Sequence, residues 1–557
     1  MMKTAGRSCD GRRSAVPLSA VAIALCAQFG AIQNARALEI DTGIDQFKLR
    51  WDNTVKYNAG WRVKKQSDVV AGDANTNDGD RNFSKGLISN RLDLLSEVDA
   101  TYQNVGLRVS AAAWYDQVYN SRNDNPGGLA FSNNASVPYN EFTDATKKVH
   151  GRNSEFLDAF VFGKFNLGGV DTTVRLGKHT VVYGESLFFG SNGIAAAQGP
   201  VDVVKLVTVP GSQFKEILRP VEQVSTVLQF SRNLTLGAYY QFRWHASRIP
   251  AVGSYFSPAD FAGQGAEQFY AGPLGIFGKT ADMKAKDSGQ GGIQLRWAPD
   301  NSEWEYGLYA ARYHDKTPYF YFLPTLPLPG PYTAANDKFQ QVYHQGTRTF
   351  GASATTSIGQ LNLAFEGSIR TNASLVSDPQ FVSPASNNSD NPAYAVGKTG
   401  HLQASAIYVL TGSPLWDAGS FLGEIAWNRR LSVSRNEAAI DPNTTRDAAA
   451  LRFIFEPQYF QVAQGLDLGI PVGLGWNFKG RSSSIFLFNG GYANAGDVSV
   501  GLNATYKTVW QAGLNFTHYF GTANSFLAPA NSSPQVLSFN QFYKDRDFIS
   551  LTLKRAF

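Results

Sequence analysis

The chain has 557 residues, of which 13% are aromatic and only 17% charged, with 53 glycines and two cysteines. Soluble globular domains carry about 25% charged residues, so this composition is short of charge for a surface that faces only water. Of the formal charge of +5, +4 lies in residues 1–37 (Lys3, Arg7, Arg12, Arg13 and Arg36 against Asp10); the other 520 residues hold +1, which gives no basis for the concentrated basic face of a nucleic-acid binder.

The first element is an export signal. A basic stretch precedes the short apolar run Ala15 to Ala27, and Ala35-Arg36-Ala37 is a small-x-small cleavage site, predicting a cut after Ala37 and a mature start at Leu38. The apolar run is too short for a spanning helix, and no later run reaches about 20 apolar residues. Cys9 and Cys26 both lie in this segment, so the mature chain has no thiol for a disulfide or a cysteine-ligated metal, and no cofactor is expected.

From Leu38 onward the hydrophobic period is two. Phe47, Leu49, Trp51, Val55, Tyr57, Ala59, Trp61 and Val63 share one face, while Lys48, Arg50, Asp52, Thr54, Lys56, Asn58 and Arg62 share the other. The next strand repeats the pattern, with Leu92, Leu94, Val98, Ala100 and Tyr102 opposite Arg91, Asp93, Glu97 and Asp99. Eighteen such segments are expected, at about 47–63, 87–102, 105–119, 154–166, 170–184, 221–230, 234–244, 288–298, 303–314, 341–357, 360–371, 399–411, 418–431, 446–462, 465–477, 495–506, 509–520 and 542–557. Short turns such as Gln103-Asn104 and Ile358-Gly359 alternate with long connections. That alternation marks a single all-β, antiparallel transmembrane barrel of the bacterial outer membrane, residues 38–557, with sixteen strands as the alternative count. The last strand puts Ile549, Leu551, Leu553 and Phe557 on one face, an ending similar to the signal read by the barrel-assembly machinery. Outer-membrane lipid and lipopolysaccharide are the surroundings this implies.

Such a barrel encloses a lumen. Its constriction candidates are Lys48, Arg50 and Lys56 on the first strand, Arg91, Asp93, Glu97 and Asp99 on the second, and Arg175 on the fifth. These charges either pair across strands and stiffen the wall or set a transverse field for polar solutes. Only Leu38 to Gln46 precede the first strand, so occlusion must come from loops. Several loops are apolar: Phe188-Phe189, Phe320, Phe322 and Leu326 within 318–331, and Phe486 and Phe488. They either pack together as a cap or form a greasy entrance. Asp73 to Asp80 looks like half a calcium loop, with its glycine one place late and Ser84 where a glutamate would close it; a solvated acidic loop is the plainer expectation. No G-x-S-x-G motif and no histidine pair at ligand spacing occur, so no enzymatic activity is expected.

Three stretches carry a resemblance. They are Asn90 to Asp99, Arg175 to Phe188 (with Gly177-Lys178 and Tyr183-Gly184-Glu185-Ser186), and Pro210 to Val221 (with Lys215-Glu216 and Arg219-Pro220). Together they resemble the proteobacterial family catalogued as domain of unknown function 1302, over essentially the whole mature chain. The resemblance implies an outer-membrane barrel that handles hydrophobic molecules, working beside a lipid-carrier-like lipoprotein and an inner-membrane transporter. Tyr183 departs from the tryptophan the resemblance leads one to expect.

The segment 185–220 is long, follows a Gly184-Glu185 turn, and mixes apolar runs with Glu185, Ser186, Lys215, Glu216 and Arg219. It is expected either to fold into the lumen and gate it or to form an extracellular lid. The functional expectation is an outer-membrane channel for hydrophobic or amphipathic small molecules. A general or substrate-specific porin and a non-conducting adhesive or structural barrel are the alternatives.

Overall fold

A computed structural model describes residues 38–557 apart from 129–131, 209–213, 326–329 and 533, so the export segment and Leu326 lie outside the described residues. The strands are β1 (Phe47–Arg62), β2 (Gly86–Tyr102), β3 (Val105–Asp116), β4 (Arg152–Leu167), β5 (Val170–His179), β6 (Val221–Gln229), β7 (Leu234–Gln241), β8 (Gln290–Trp297) and β9 (Trp304–Tyr313). They continue as β10 (Thr347–Ile358), β11 (Leu361–Ser374), β12 (Val396–Leu410), β13 (Ala418–Arg435), β14 (Asp447–Ala463), β15 (Val472–Gly480), β16 (Ala495–Tyr506), β17 (Trp510–Phe520) and β18 (Phe548–Ala556). Each pairs antiparallel with its neighbours in the chain. The ring closes where β1 pairs with β18, from Thr54 opposite Ala556 to Arg62 opposite Phe548. Closure leaves no sheet edge, so every backbone group at membrane depth finds a partner inside the sheet.

The two faces divide as the period of two requires. Leu94, Leu107, Val161, Leu176, Ile293, Leu308, Ile369, Leu402, Val500 and Leu514 are all more than one-third exposed, the reverse of a soluble core. This outer belt is bounded by aromatics at both rims, with Trp51, Trp297, Tyr306, Tyr408 and Tyr506 near the short turns and Tyr115, Tyr240 and Trp476 near the long loops. Arg555, which interrupts the apolar row of the last strand, lies with its guanidinium 4.9 Å from the Trp510 ring. The short connections are tight turns. At Gly168-Gly169 both residues have positive φ, 63° and 90°, the conformation a two-residue hairpin needs.

Three strand ends fall short of the sequence expectation for a common reason. β5 stops at His179 rather than 184, β10 starts at Thr347 rather than 341, and β18 starts at Phe548 rather than 542. In each case the alternating pattern runs on but the chain has left the sheet, after β5 to fold inside the barrel with Tyr183 against Tyr239, and before β10 and β18 to pack with other loops. Those loops build a second core over the extracellular mouth. Phe83, Tyr119, Phe142, Tyr255, Phe277, Phe322, Phe339, Tyr492, Phe526 and Phe542 come from six connections and form one buried cluster. Its scaffold is a small sheet of Gln268–Tyr270, Ile276–Lys279, Tyr319–Leu323, Lys338–Val342 and Gln380–Phe381.

Asp73 to Asp80 belongs to this cap and is not a solvated loop. Asp73, Asn75, Asp78 and Asp80 are each 1% exposed or less. Asp73 accepts from the Asn531 N–H at 2.6 Å, Asp78 from the Asn133 N–H at 3.1 Å, and Asp80 pairs with Arg62 at 2.5 Å. The composition signals water, but Arg62 at the end of β1 and the loop through Asp260 cover the segment. Among the described residues no three histidine, cysteine or acidic side chains are placed to hold a metal.

Candidate functional site

The lumen wall follows from the register. Lys48, Arg50, Lys56, Arg91, Asp93, Glu97 and Asp99 all share the inner face of β1 and β2, with Arg50 opposite Asp99 and Lys56 opposite Asp93. Arg175 lies on the same face of β5, opposite Ser225 of β6. Pairing is extensive on this wall. Arg91 holds Asp93 at 2.7 Å, Arg50 holds Asp52 at 2.6 Å, and Arg108 of β3, which sequence reading passed over, holds Glu97 at 2.5 Å and approaches Asp99 at 3.7 Å.

In the connection from β5 to β6, residues 180–220, the described stretch 180–194 crosses to the opposite wall. Its fastening is made of backbone groups on lumen side chains. The Glu366 carboxylate of β11 accepts from the N–H groups of Glu185 (2.7 Å) and Ile194 (2.6 Å). The Glu424 carboxylate of β13 accepts from Leu187 (3.3 Å), Phe188 (2.5 Å) and Phe189 (2.8 Å). Arg370 of β11 donates to the carbonyls of Ser191, Asn192 and Gly193 at 2.8 to 2.9 Å. Gln403 of β12 donates to the Ser186 hydroxyl at 2.5 Å. Glu366 and Glu424 sit in mid-strand, so the loop is fastened at mid-barrel height and not across the rim.

The sequence permits this only because of glycine. Gly184 has a φ of +86°, and a Cβ there would fall on the Glu366 carboxylate; a Cβ on Gly193 would collide with the same group and with the Ser186 hydroxyl. Next to the turn, Tyr183 is buried edge-on against Tyr239, with 5.4 Å between ring centroids. The return limb is held by charge. Arg219 and Arg248 both bind Glu155 of β4, at 2.8 and 2.5 Å, and Arg248 also binds Asp202 at 3.1 Å. Lys215 and Glu216 lie in the short helix Phe214–Ile217, and their side chains are outside the described set. Glu185 itself pairs with Arg296 of β8 at 3.0 Å. Beneath the loop a cavity of about 340 Å³ is lined by Glu185, Leu187, Glu305, Asn362, Ser405 and Ile407 among others.

The apolar loop candidates are packed together. Phe189 lies 5.6 Å from Phe488, with Phe188 and Ile485 against them. Phe322 is 2% exposed, while Phe320 and Phe486 pack on the large cap cluster. Sequence reasoning missed Glu366, Arg370, Asn192 and Glu424. The available signal was the isolated charge on the lumen-facing register of β11 and β13, where the surrounding inner face is small or neutral.

In the cap, burial raises the Asp78 carboxyl to about 7, and burial together with neighbouring Asp78 raises Asp260 well above the usual carboxylate range. Burial, with Asp80 close by, raises Asp545 to about 6. Burial lowers His150 to about 3, so its ring is neutral and accepts from the Ala251 N–H at 3.1 Å.

No curated protein matches this chain. Among solved structures, OccAB2 of Acinetobacter baumannii is 11% identical with a TM-score of 0.41, over 92% of this chain and 98% of that one. OpdK of Pseudomonas aeruginosa, solved with vanillate, is 10% identical with a TM-score of 0.39, over 91% and 98%. The trimeric outer-membrane protein OmpT of Vibrio cholerae is 10% identical with a TM-score of 0.38, over 92% and 100%. The profile of the family described as "Protein of unknown function (DUF1302)" matches residues 18–557. With a match over nearly its whole length and an outer-membrane-type barrel of eighteen strands, the chain belongs to the DUF1302 family.

Proposed function

We propose that the protein is an outer-membrane channel for hydrophobic or amphipathic small molecules, with residues 185–220 as its gate. The observation that carries this reading is the apolar part of the lumen wall below the loop. By register, Leu95 shares the inner face with Glu97, Phe160 and Phe162 share it with Arg108 and Arg175, and Val227 lies on it 43% exposed. Across the lumen, Leu422 of β13 and Ile454 of β14 are paired on the face that carries Glu424, beside Ile407. An apolar solute passing along such side chains loses contact with water, a gain that a bare ion cannot have. The work of a lipid-carrier-like lipoprotein and an inner-membrane transporter on the periplasmic side is part of the same proposal.

A second reading, a non-conducting structural or adhesive barrel, is favoured by the packed aromatic cap. Planar-bilayer conductance of residues 38–557 separates the two, measured on the native protein and on a variant lacking 190–212. The channel reading expects rare, brief openings that become long-lived in the deletion variant, together with uptake of an apolar dye into vesicles. A variant as silent and as dye-tight as the native protein would sink it.

A further inference from the structure

We infer that the cavity beneath the 180–220 loop is a cation subsite, formed by Glu185, Glu303 and Glu305, for the ammonium head of an amphipathic solute. The inference deepens the channel reading and rests on it. The cavity, of about 340 Å³, lies between the fastened loop and the short turns: Glu185 and Leu187 come from the loop, and Ser357 precedes the turn Ile358-Gly359. A concave space of that size, with apolar walls and a few convergent polar groups, has the form of a small-molecule site. Leu187, Ala364 and Ile407 supply apolar wall, and Leu422 of β13, opposite Ile407, continues it.

The charge of the cavity has one sign. Three carboxylates line it, and among the described residues no lysine or arginine does. Glu303 and Glu305 share the inner face of β9 with Tyr309, whose hydroxyl meets Ser353 at 2.9 Å inside the barrel. The one cation that reaches these acids is Arg296 of β8, and it is shared: it lies 3.0 Å from Glu185 and also binds Glu305. Among the described residues Glu303 has no ion-pair partner within 4 Å. Three negative charges therefore face one positive charge. Widening the count up to the fastening of the loop does not change the sign. It adds Glu366, Glu424 and Glu456 against Arg370, which holds three loop carbonyls, and Arg452, which Asp497 holds at 2.6 Å. A cationic head beside Glu303 and Glu305, with its apolar body along Leu187 and Ile407, meets both kinds of wall at once.

The test uses one thiol. In the full chain with Cys9 and Cys26 replaced by serine, Thr355→Cys puts a cysteine on the cavity wall, opposite Glu305 in the register. The protein, refolded into lipid nanodiscs that leave both mouths open, is treated with methanethiosulfonates carrying a trimethylammonium, a sulfonate or no charge. A one-sign site raises the local concentration of its counter-ion by about tenfold or more, so the cationic reagent reacts about tenfold faster than the sulfonate. Glu303→Gln, which leaves both Arg296 pairs in place, lowers that preference, and Glu303→Gln/Glu305→Gln brings it toward unity while the neutral reagent keeps its rate. Octyltrimethylammonium slows labelling by the neutral reagent; octanoate does not. Equal rates, a sulfonate preference or no labelling by any reagent would overturn the subsite. Protection by magnesium or tetramethylammonium as strong as by octyltrimethylammonium would overturn the amphiphile assignment. None of these rates requires passage, so a preserved cation preference in a barrel that never conducts would sink the channel reading and leave the subsite standing.

Discussion

The extracellular cap and the fastening of the 180–220 loop are both held to the barrel, and they are held by different physics. The cap is a hydrophobic core: Phe277 is fully buried, 5.0 Å from Phe322 and 4.7 Å from Tyr332. Its attraction is non-directional and collective, so losing one contact changes little unless a whole side chain goes. The loop is held instead by a few directional bonds, five N–H groups on two carboxylates and three carbonyls on one guanidinium. Bonds of that kind can be exchanged for water or solute within a wet lumen. Under the gate reading proposed above, the cap is the part expected to stay and the loop the part expected to move.

The largest expected effect lies in the cap. Phe277→Ala removes a ring from a closed aromatic cluster and should cost the cap about 3–5 kcal/mol. Protease should then cut the loops of a barrel that still shows normal heat-modifiable migration; cap and barrel failing together would mean that they are one cooperative unit. The contrast sharpens with Glu424→Ala, which strips the acceptor from Leu187, Phe188 and Phe189. A loss of about 1–3 kcal/mol is expected, read as roughly a tenfold or greater rise in single-channel open probability with protease resistance unchanged. An unchanged open probability would show that Arg370 and Glu366 suffice. Gly184→Ala, at a φ of +86°, should cost about 1–2 kcal/mol from backbone strain alone and push on the Glu366 carboxylate. It should reproduce the Glu424 phenotype in weaker form.

The smallest effect separates the two regions by pH. Asp78 has its folded-state pKa raised to about 7, against an unfolded value near 4. A raised carboxyl binds its proton more tightly when folded, so its contribution is greatest at low pH and is lost as pH rises from about 4 toward 7. The cap should resist protease better at pH 5 than at pH 8. Asp260→Asn removes the neighbouring carboxylate and should flatten that dependence; a cap more stable at pH 8 would contradict the assignment.

The barrel was legible because alternation is a local property. Lys56 and Tyr57 must point to opposite faces whatever surrounds them, and β1 and β2 have the faces read from their residues. The same locality misled at the strand ends: residues 542–547 alternate like a strand but belong to the cap, where Phe542 and Tyr543 are buried. The acidic run Asp73 to Asp80 was misread for a related reason. Its charge says that it needs polar partners, and the sequence cannot say whether those are water or Arg62, Asn133 and Asn531.

What the sequence by itself determined is the closed sheet, with eighteen strands expected ahead of sixteen, and its inner and outer faces; that Arg50 pairs with Asp52 and Arg91 with Asp93 within their own strands came from the structure. The sheet and its faces depend on side-chain order along one strand or on the length of one connection. Only the tertiary structure decided which carboxylates hold the 180–220 loop, that the apolar loops meet in separate cores, one around Phe322 and one pairing Phe189 with Phe488, and that Lys56 faces Lys554. Glu366 lies 181 residues from Glu185, and Lys554 lies 498 from Lys56. Such pairs exist only after barrel closure fixes the register, and no local pattern along the chain encodes them.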